Sequence, residues 1–349
     1  MVMRKTELKI KLSNLTKNID LIKSFTDARI QAVVKANSYG ISASEVVKNI
    51  NDHVESYSVI TLDEAIEIRK FTEKPILLLQ GVHEIEDYKL VSEFRLDFVI
   101  HSMWQLEKLE NYDLSQSRLW IKINTGMNRL GLDPINFQQA LNKAEEVKVA
   151  EIILMSHLAS SSEVNDDMNN KQIKNFTELT KNYNFKKSLS NSGAIFNFPD
   201  AHFDIVRPGI AIYGGNYNEF GTIPVTSLRS KIISIREIKS GSKVGYDGSW
   251  IASEDCIIAY VGIGYGDGLP YFKTPLTISI GNQNFQTIGR SNMDLLMINL
   301  GQNRDITVGD WVDIWGFDSD LKSLSDQLNT ISYSLLANIS SRVTKNYLE

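Results

Sequence analysis

Eight short apolar runs alternate with segments of helical spacing over roughly the first two hundred residues, and this alternation constrains the fold more than any other feature. The runs contain many β-branched residues without strict polar–apolar alternation, which is typical of strands covered on both faces. They lie at residues 32–34, 57–60, 76–79, 96–100, 119–123, 151–155, 187–190 and 203–206. The pattern predicts an α/β fold with a (β/α)8 TIM-type barrel, and a doubly wound parallel sheet is the alternative.

Three of the intervening segments begin with the spacing of a capping box, in which a hydroxyl and a side chain three residues later cap the helix start. The three pairs are Ser42-x-x-Glu45, Thr61-x-x-Glu64 and Ser102-x-x-Gln105. Each pair follows a predicted strand, so each predicts the start of a barrel helix.

The pattern changes after Tyr213. Residues 225–315 contain alternating segments separated by turn residues, such as those at 231–235, 276–280 and 311–315. We therefore predict a barrel over residues 1–222 and a mainly β C-terminal domain over residues 223–349. A helix at about 323–328 and a last helix near 333–342 are expected to close the chain.

Composition limits the possible partners and cellular locations of the protein. A net charge of -5 gives no reason to expect a nucleic-acid partner. The N-terminal residues are too charged for a signal peptide, and no run approaches the ~20 apolar residues of a membrane span. The single cysteine, Cys256, lies in an apolar run and is expected to be a buried structural thiol. We predict a cytoplasmic protein without membrane contact or a metal site.

Reacting groups of a TIM-type barrel lie at the C-terminal ends of its strands. The residues at these positions are rich in cations: Lys35, His101, Lys122, Asn124, His157, Asn191, Ser192 and Arg207. Ser192 and the N–H groups of Gly209 and Ile210 are placed to bind a phosphate. Lys35 is either an ordinary strand-end lysine or a desolvated amine able to form a Schiff base.

Several long segments resemble those of alanine racemases, and they occur in the family's order. Residues 32–40, AVVKANSYG, are similar to the segment that attaches pyridoxal phosphate, and residues 122–131, KINTGMNRLG, to the Lys-x-Asp-Thr-Gly-Met-x-Arg-Leu-Gly segment. Further matches are SHLA at 156–159, NS at 191–192, DIVRPGI at 204–210, GYDG at 245–248, GYGDG at 264–268 and GRSNMD at 289–294. Tyr333 and Arg342 also fit, so the resemblance runs nearly end to end.

The resemblance implies a homodimer that interconverts L-alanine and D-alanine with pyridoxal 5'-phosphate and supplies D-alanine for peptidoglycan. Lys35 would carry the cofactor and act on the D-side of the substrate. Tyr246 from the other subunit would act on the L-side, assisted through His157 and Arg207. Cofactor binding is expected at Lys35, Tyr39, His157, Asn191, Ser192, Arg207, Gly209, Ile210 and Tyr333.

The resemblance also assigns substrate contacts. Arg129 and the N–H of Met293 would bind the carboxylate of the amino acid. Lys122, either unmodified or as a carbamate, would support Arg129, and Tyr265 would line the entry passage. Asp294 would support these groups from outside the substrate contacts.

The chain departs from the family pattern at several positions. Ile41 and Ser42 replace a usual His-Gly, Asn124 replaces Asp, Asn292 often corresponds to Cys, and Ser334 replaces Glu. None of these positions is a proton-transfer group, so the substrate range is affected more than the reaction type. A racemase of wider scope, acting on serine or lysine, is the first alternative. A pyridoxal phosphate decarboxylase and a non-enzymatic pyridoxal phosphate carrier are the others.

Overall fold

A computed structural model describes residues 5–348, which form two compact units. One unit contains Leu15–Ile212 with residues 219–221. The other combines the chain through Asn14 with Tyr213–Asn218 and the residues from Thr222 onward. This division differs from the predicted boundary after residue 222, because the first strand, β1 (Thr6–Lys11), hydrogen-bonds to strands of the C-terminal unit.

The first unit contains eight parallel strands, as the eight apolar runs predicted. Almost every residue in these strands is buried, which explains the absence of polar alternation in their sequences. The strands are β2 (Arg29–Val33), β3 (Ser56–Val59), β4 (Ile76–Leu78), β5 (Asp97–Ile100), β6 (Arg118–Lys122), β7 (Glu151–Met155), β8 (Lys186–Ser188) and β9 (Ile205–Val206).

Consecutive strands from β2 to β8 are neighbours, and β2 also pairs with β9. The ring closes between β8 and β9, where Asp204 N–H donates to the Lys187 carbonyl (3.1 Å) and Arg207 N–H donates to the Ser190 carbonyl (2.9 Å). The prediction of a (β/α)8 barrel is therefore confirmed. Closure brings the ends of all eight strands together around one opening.

Apolar side chains from five strands fill the barrel. Trp120, fully buried, is the largest of a cluster completed by Leu77, Val99, Ile153, Met155 and Ile205. The helices of this unit are Ser13–Phe25, Ala43–Ile50, Leu62–Arg69, Tyr88–Glu93, Pro134–Glu145, Asp167–Thr180 and Ser192–Asn197, the first of which begins two residues before Leu15.

Two of the three predicted helix caps are confirmed. Ser42 accepts a hydrogen bond from the Glu45 N–H, and Thr61 forms a complete capping box with Glu64. The prediction at Ser102 is wrong, because the segment Met103–Leu106 is a 3-10 turn without a side-chain cap. Its Gln105 side chain accepts from the His101 N–H and donates to the Gln80 and Val82 carbonyls instead.

The second unit is mainly β, as predicted. Its strands are β1, β10 (Thr226–Ile238), β11 (Lys243–Val244), β12 (Trp250–Ile251), β13 (Cys256–Val261), β14 (Thr277–Ile280), β15 (Gln283–Thr287), β16 (Leu296–Gly301), β17 (Trp311–Trp315) and β18 (Thr344–Leu348). Eight of them form one sheet, and β11 and β12 form a separate hairpin. Cys256 is buried in the apolar cluster of this unit, which confirms its structural role.

The C-terminus differs from the sequence prediction. The predicted helix at about 323–328 is found at Leu321–Gln327, but the last helix covers only Ser332–Ala337. The chain then continues into β18, which pairs in parallel with β1. Three of the five β18 residues are exposed and none is fully buried, so the strand lacks the apolar alternation by which sequence would identify it. Within residues 5–348, no helix is long and apolar enough to cross a membrane.

Gly214 offers a test of packing in this unit. Its φ is +62°, and a β-carbon there would lie 1.9 Å from the Ile223 carbonyl oxygen. Gly214→Ala therefore combines left-handed strain with a clash against backbone, and we expect it to lower the free energy of unfolding by about 3 kcal/mol. Chemical denaturation measures this change.

Gly241→Ala is the matched control, since Gly241 has a φ of +79° and open space around it. It should cost only about 1 kcal/mol. Equal losses in the two variants would contradict a role for close packing at Gly214.

Candidate active site

The segment after Lys35 adopts an uncommon backbone. Ala36, Asn37, Ser38 and Tyr39 all have φ between 51° and 53°, and Gly40 follows with a φ of +77°. These residues form a left-handed helical turn, a conformation that costs L-residues roughly 1–2 kcal/mol each. Strain of this size persists only where the surroundings over-determine the backbone.

Side chains from neighbouring segments hold this turn. Glu64 Oε1 accepts a hydrogen bond from the Ala36 N–H at 2.6 Å. Asn37 Oδ1 accepts from the Ala43 N–H at 2.8 Å and so ties the turn to the next helix. These hydrogen bonds fix the backbone that follows Lys35, so the lysine side chain extends from the end of β2 in a defined direction.

The Lys35 amine lies in a cationic environment. Burial lowers its pKa below the ordinary lysine value, and the charge of Arg129 lowers it further, while Glu64 opposes both effects. A lowered pKa makes the neutral, nucleophilic amine available nearer to neutral pH.

Lys122 ends β6 and is only 7% exposed. Burial lowers its pKa to about 8, and the charges of Arg207, Arg129 and Lys35 add to the shift. The ends of β2, β6 and β9 therefore place several cations within mutual electrostatic range. Such a site favours an anionic ligand.

Arg207 follows β9 and is 3% exposed. Its Nη2 donates to the Ser156 carbonyl at 2.6 Å and to the Leu189 carbonyl at 3.3 Å, and its Nη1 donates to Ser188 Oγ. Burial lowers its pKa to about 10, so the guanidinium still carries its proton at neutral pH.

His157 lies 3.5 Å from Arg207, measured between Nδ1 and Nη2. The Asn191 Nδ2 amide lies 3.5 Å from Nε2 on the other side of the ring, so both ring nitrogens face donor groups. Burial and the charges of Arg207 and Lys122 hold the pKa of His157 well below its usual value. The imidazole is therefore neutral.

A compact polar cradle lies between the ends of β8 and β9. The buried Ser192 Oγ accepts from the N–H groups of Gly209 (2.9 Å) and Ala211 (3.3 Å). A β-carbon on Gly209 would lie 2.3 Å from Tyr39 Oη, so only glycine allows the phenol to approach this backbone. The strained turn after Lys35 thus places Tyr39 in the same cradle as Ser192.

Asn124 organises the loop that carries Arg129. Its Oδ1 accepts from the N–H groups of Gly126 (3.2 Å) and Asn128 (3.1 Å), while its Nδ2 donates to Asp133 at 3.3 Å. An aspartate would keep the two acceptor contacts and lose both donor contacts, the one to Asp133 and a second to Asn128 Oδ1 at 3.0 Å. The departure at residue 124 therefore preserves the loop.

The C-terminal unit presents its predicted site residues on its surface. Tyr246 is 72% exposed and Met293 is 52% exposed, and Tyr265 and Tyr333 are also exposed. The backbone N–H groups of Tyr265 and Gly266 donate to the carbonyls of Asn292 (3.0 Å) and Met293 (2.9 Å), which joins these two loops.

Ion pairs support the same loops. Arg342 bonds to Asp294 at 2.5 Å and lies 3.4 Å from Asp267. Arg290 bonds to Asp247, the residue after Tyr246, at 2.7 Å. The exposed side chains of Tyr246 and Met293 thus project from backbone that these ion pairs hold in place.

The barrel opening brings together most of the residues that the strand-end analysis selected, namely Lys35, Lys122, His157, Asn191, Ser192, Arg207, Gly209 and Ile210, and with them Tyr39 and Arg129, which the family resemblance implied. Their roles stay predictions. Among residues 5–348 there is no group of three or more His, Cys, Asp or Glu side chains arranged to hold a metal.

Sequence reasoning missed Glu64 and Ser188 as parts of the site. Glu64 was interpreted only as the third residue of a capping box, a role that it also fills. Ser188 lies within a weak strand and carries no motif, so no sequence signal identifies it as the partner of Arg207.

The buried neutral state of His157 predicts acid sensitivity. A folded-state pKa below the unfolded value of ~6.5 means that the unfolded chain binds the proton first as the pH falls. This contribution to stability is present above about pH 6.5 and is lost below it. Between pH 7.5 and 5.5 we expect His157→Gln to reduce the pH dependence of the unfolding free energy by about 1 kcal/mol.

Denaturant unfolding at both pH values measures this difference. His83→Gln, at an exposed histidine, is the control and should leave the pH dependence unchanged. An unaltered slope in His157→Gln would show that His157 is not held neutral.

Two family models match the chain. "Alanine racemase, N-terminal domain" matches residues 10–217, and "Alanine racemase, C-terminal domain" matches residues 225–347. A curated alanine racemase from Vesicomyosocius okutanii is 36% identical over 347 residues, covering 97% of this chain and 97% of that protein.

Solved structures give the same result. The biosynthetic alanine racemase of Pseudomonas aeruginosa matches with a TM-score of 0.96 and 34% identity, over 99% of this chain and 100% of that one. The alanine racemase of Bartonella henselae, described with covalently bound pyridoxal phosphate, matches with a TM-score of 0.89 and 26% identity, over 98% of this chain and 99% of that one. The chain therefore belongs to the alanine racemase family and is an enzyme of the isomerase class.

Proposed function

We propose that this enzyme interconverts L-alanine and D-alanine with pyridoxal 5'-phosphate held on Lys35, and that it supplies D-alanine for peptidoglycan. The observation that carries the proposal is a lysine amine of lowered pKa at the mouth of a barrel, surrounded by cations. An anionic aldehyde cofactor satisfies both the charge of this site and the nucleophilicity of its amine.

The residues at the barrel mouth fit this cofactor. Ser192, Tyr39 and the backbone at Gly209 and Ile210 would hold the phosphate, with Tyr333 as a further ligand. Asn191 accepts from the Ala194 N–H at 3.2 Å and so orders the segment that carries Ser192. Pyridoxal phosphate supplies a conjugated system that takes up the electron pair left when the α-proton of the amino acid departs.

Arg207 would hold the ring nitrogen of the cofactor. A guanidinium has no proton to give at neutral pH, and the donor bonds of Arg207 to Ser156, Ser188 and Leu189 fix it in place. Arg207 in this position would leave the ring nitrogen without a proton, which would favour racemisation over transamination.

Two bases on opposite faces of the substrate would move the proton. The Lys35 amine serves the D-side, and Tyr246 of the partner subunit serves the L-side. The exposure of Tyr246 supports this assignment, because a base that acts in the site of another chain must project from the surface of its own chain. Neutral His157, whose Nδ1 lies 3.5 Å from Arg207 Nη2, would link the phenol of Tyr246 to Arg207.

Substrate orientation would fall to Arg129 and to the N–H of Met293 from the partner subunit, which bind the carboxylate. Lys122, with a pKa of about 8, has a neutral fraction that can add carbon dioxide, and the resulting carbamate would pair with Arg129. Tyr265 would restrict the entrance, and Asp294 would hold the Met293 loop through Arg342. The working unit is a homodimer with shared active sites in the cytoplasm.

Substrate assays test the function directly. Purified enzyme supplied with pyridoxal phosphate and separately with L-alanine, L-serine or L-lysine should convert alanine predominantly, as measured by chiral chromatography. Comparable turnover of serine or lysine would replace the narrow function with a broad amino-acid racemase. Decarboxylation, or no conversion of any of the three, would contradict the proposed reaction.

Subunit mixing tests the shared site. Lys35→Ala and Tyr246→Phe should each lower alanine racemisation by at least a hundredfold, since each removes one of two bases. Mixing the two variants under conditions of subunit exchange should restore activity to about a quarter of the wild-type level, because half of the dimers would contain one intact site.

Tyr347→Phe, at an exposed tyrosine on β18, is the matched control and should retain full activity. If mixing restores nothing while both variants remain dimeric, Tyr246 acts within its own subunit. Full activity of Tyr246→Phe alone would remove this tyrosine from the mechanism.

A further inference from the structure

Glu64 contacts the segment that follows the cofactor lysine, although it lies on a different helix. Its Oε1 accepts from the Ala36 N–H at 2.6 Å, and its Oε2 accepts from the N–H groups of Ile60 (2.9 Å) and Thr61 (3.3 Å). One carboxylate therefore joins the end of β3, the start of the helix Leu62–Arg69 and the residue after Lys35.

The contact to Ala36 is not needed for the helix cap. The capping box requires only the Thr61 hydroxyl on the Glu64 N–H and the return bond from the Thr61 N–H to the carboxylate. The second carboxylate oxygen is directed to the Ala36 amide, the first amide of the left-handed turn. Charge-assisted hydrogen bonds of this kind are about twice as strong as neutral ones.

The turn needs such support. Four successive non-glycine residues, from Ala36 to Tyr39, have positive φ, a conformation that is unfavourable for L-residues. Three of them separate Lys35 from Tyr39, whose phenol reaches the Gly209 backbone. The distance and direction from the lysine amine to the phosphate cradle therefore depend on this turn remaining left-handed.

We propose that Glu64 is a positioning residue that holds the left-handed turn and so aims Lys35 at the aldehyde carbon while Tyr39 reaches the phosphate. The inference rests on the proposed use of Lys35 as the cofactor lysine. Glu64 touches no reacting atom and acts through the Ala36 amide and through its charge.

The charge has a separate consequence. Glu64 is the group that raises the pKa of Lys35, against burial and the charge of Arg129. Lys122 at the end of β6 also repels the Lys35 cation, and His157 after β7 is neutral. Removal of the carboxylate leaves Lys35 with burial and like charges only, so its pKa falls further.

Cofactor attachment to the full-length apoenzyme separates these two effects. The neutral amine adds to the aldehyde carbon and one water leaves, and absorbance reports the product without any substrate. We would measure the attachment rate and the affinity for pyridoxal phosphate across pH in Glu64→Gln and Glu64→Ala.

Glu64→Ala should weaken cofactor affinity about tenfold, because the Ala36 amide loses its charged acceptor. Glu64→Gln should recover part of that loss, since an amide oxygen can still accept from the Ala36 N–H. In both variants the pH at which attachment is half-maximal should move down, by on the order of half a unit, because both lack the charge. Circular dichroism checks that each variant is folded, and Glu64→Gln provides the test if Glu64→Ala is not.

Two controls isolate the cause. Thr61→Ala removes the hydroxyl of the capping box, and Glu67→Gln removes an exposed charge from the same helix. Both should leave the attachment midpoint at the wild-type pH. A wild-type midpoint and affinity in the Glu64 variants would overturn the inference, and so would an equal shift in Thr61→Ala. If the wild-type enzyme does not bind the cofactor on Lys35, the proposed function itself fails, which this assay shows separately.

Discussion

Mutual repulsion among cations at the barrel mouth is the interaction on which the chemistry of this enzyme depends. Burial lowers the pKa of both Lys35 and Lys122; the charge of Arg129 lowers the pKa of Lys35 further, and the charges of Arg207, Arg129 and Lys35 do the same to Lys122. In isolation this arrangement is unfavourable, because like charges gather in a poorly solvated place. Under the proposed function, the phosphate of the cofactor and the carboxylate of the substrate would offset this repulsion, so the site would select anionic ligands.

Topology explains why much of this site was predictable from sequence. The carboxyl ends of eight parallel strands must meet around one opening, so reading the polar residues at the ends of the apolar runs selects Lys35, Lys122, His157 and Arg207 without any structure. The alternation in residues 225–315 likewise identified the β-rich unit. These predictions depend on the spacing of apolar residues and on the order of the segments along the chain, both of which can be read directly from a sequence.

The features that sequence did not reveal depend on non-local geometry. The left-handed turn at 36–39 contains ordinary residues with no shared preference for positive φ, and only contacts such as that of Glu64 impose it. Ser102 has the spacing of a cap, but Gln105 bonds to the backbone of neighbouring segments instead. Pairing of β1 with β18 joins residues more than three hundred positions apart, and neither strand indicates its partner locally.

The exposure of Tyr246 has a consequence for how activity depends on the amount of protein. Under the proposed arrangement, Lys35 of a chain acts in that chain's own site, whereas its Tyr246 acts in the site of the partner. A single chain therefore contains no complete site. Catalysis then requires an encounter between chains, and at concentrations below the dissociation constant of the dimer the turnover rate rises with the square of the chain concentration. A modest fall in expression would therefore remove a disproportionate share of the D-alanine supply, and a ligand that separates the subunits would inhibit the enzyme without entering the barrel.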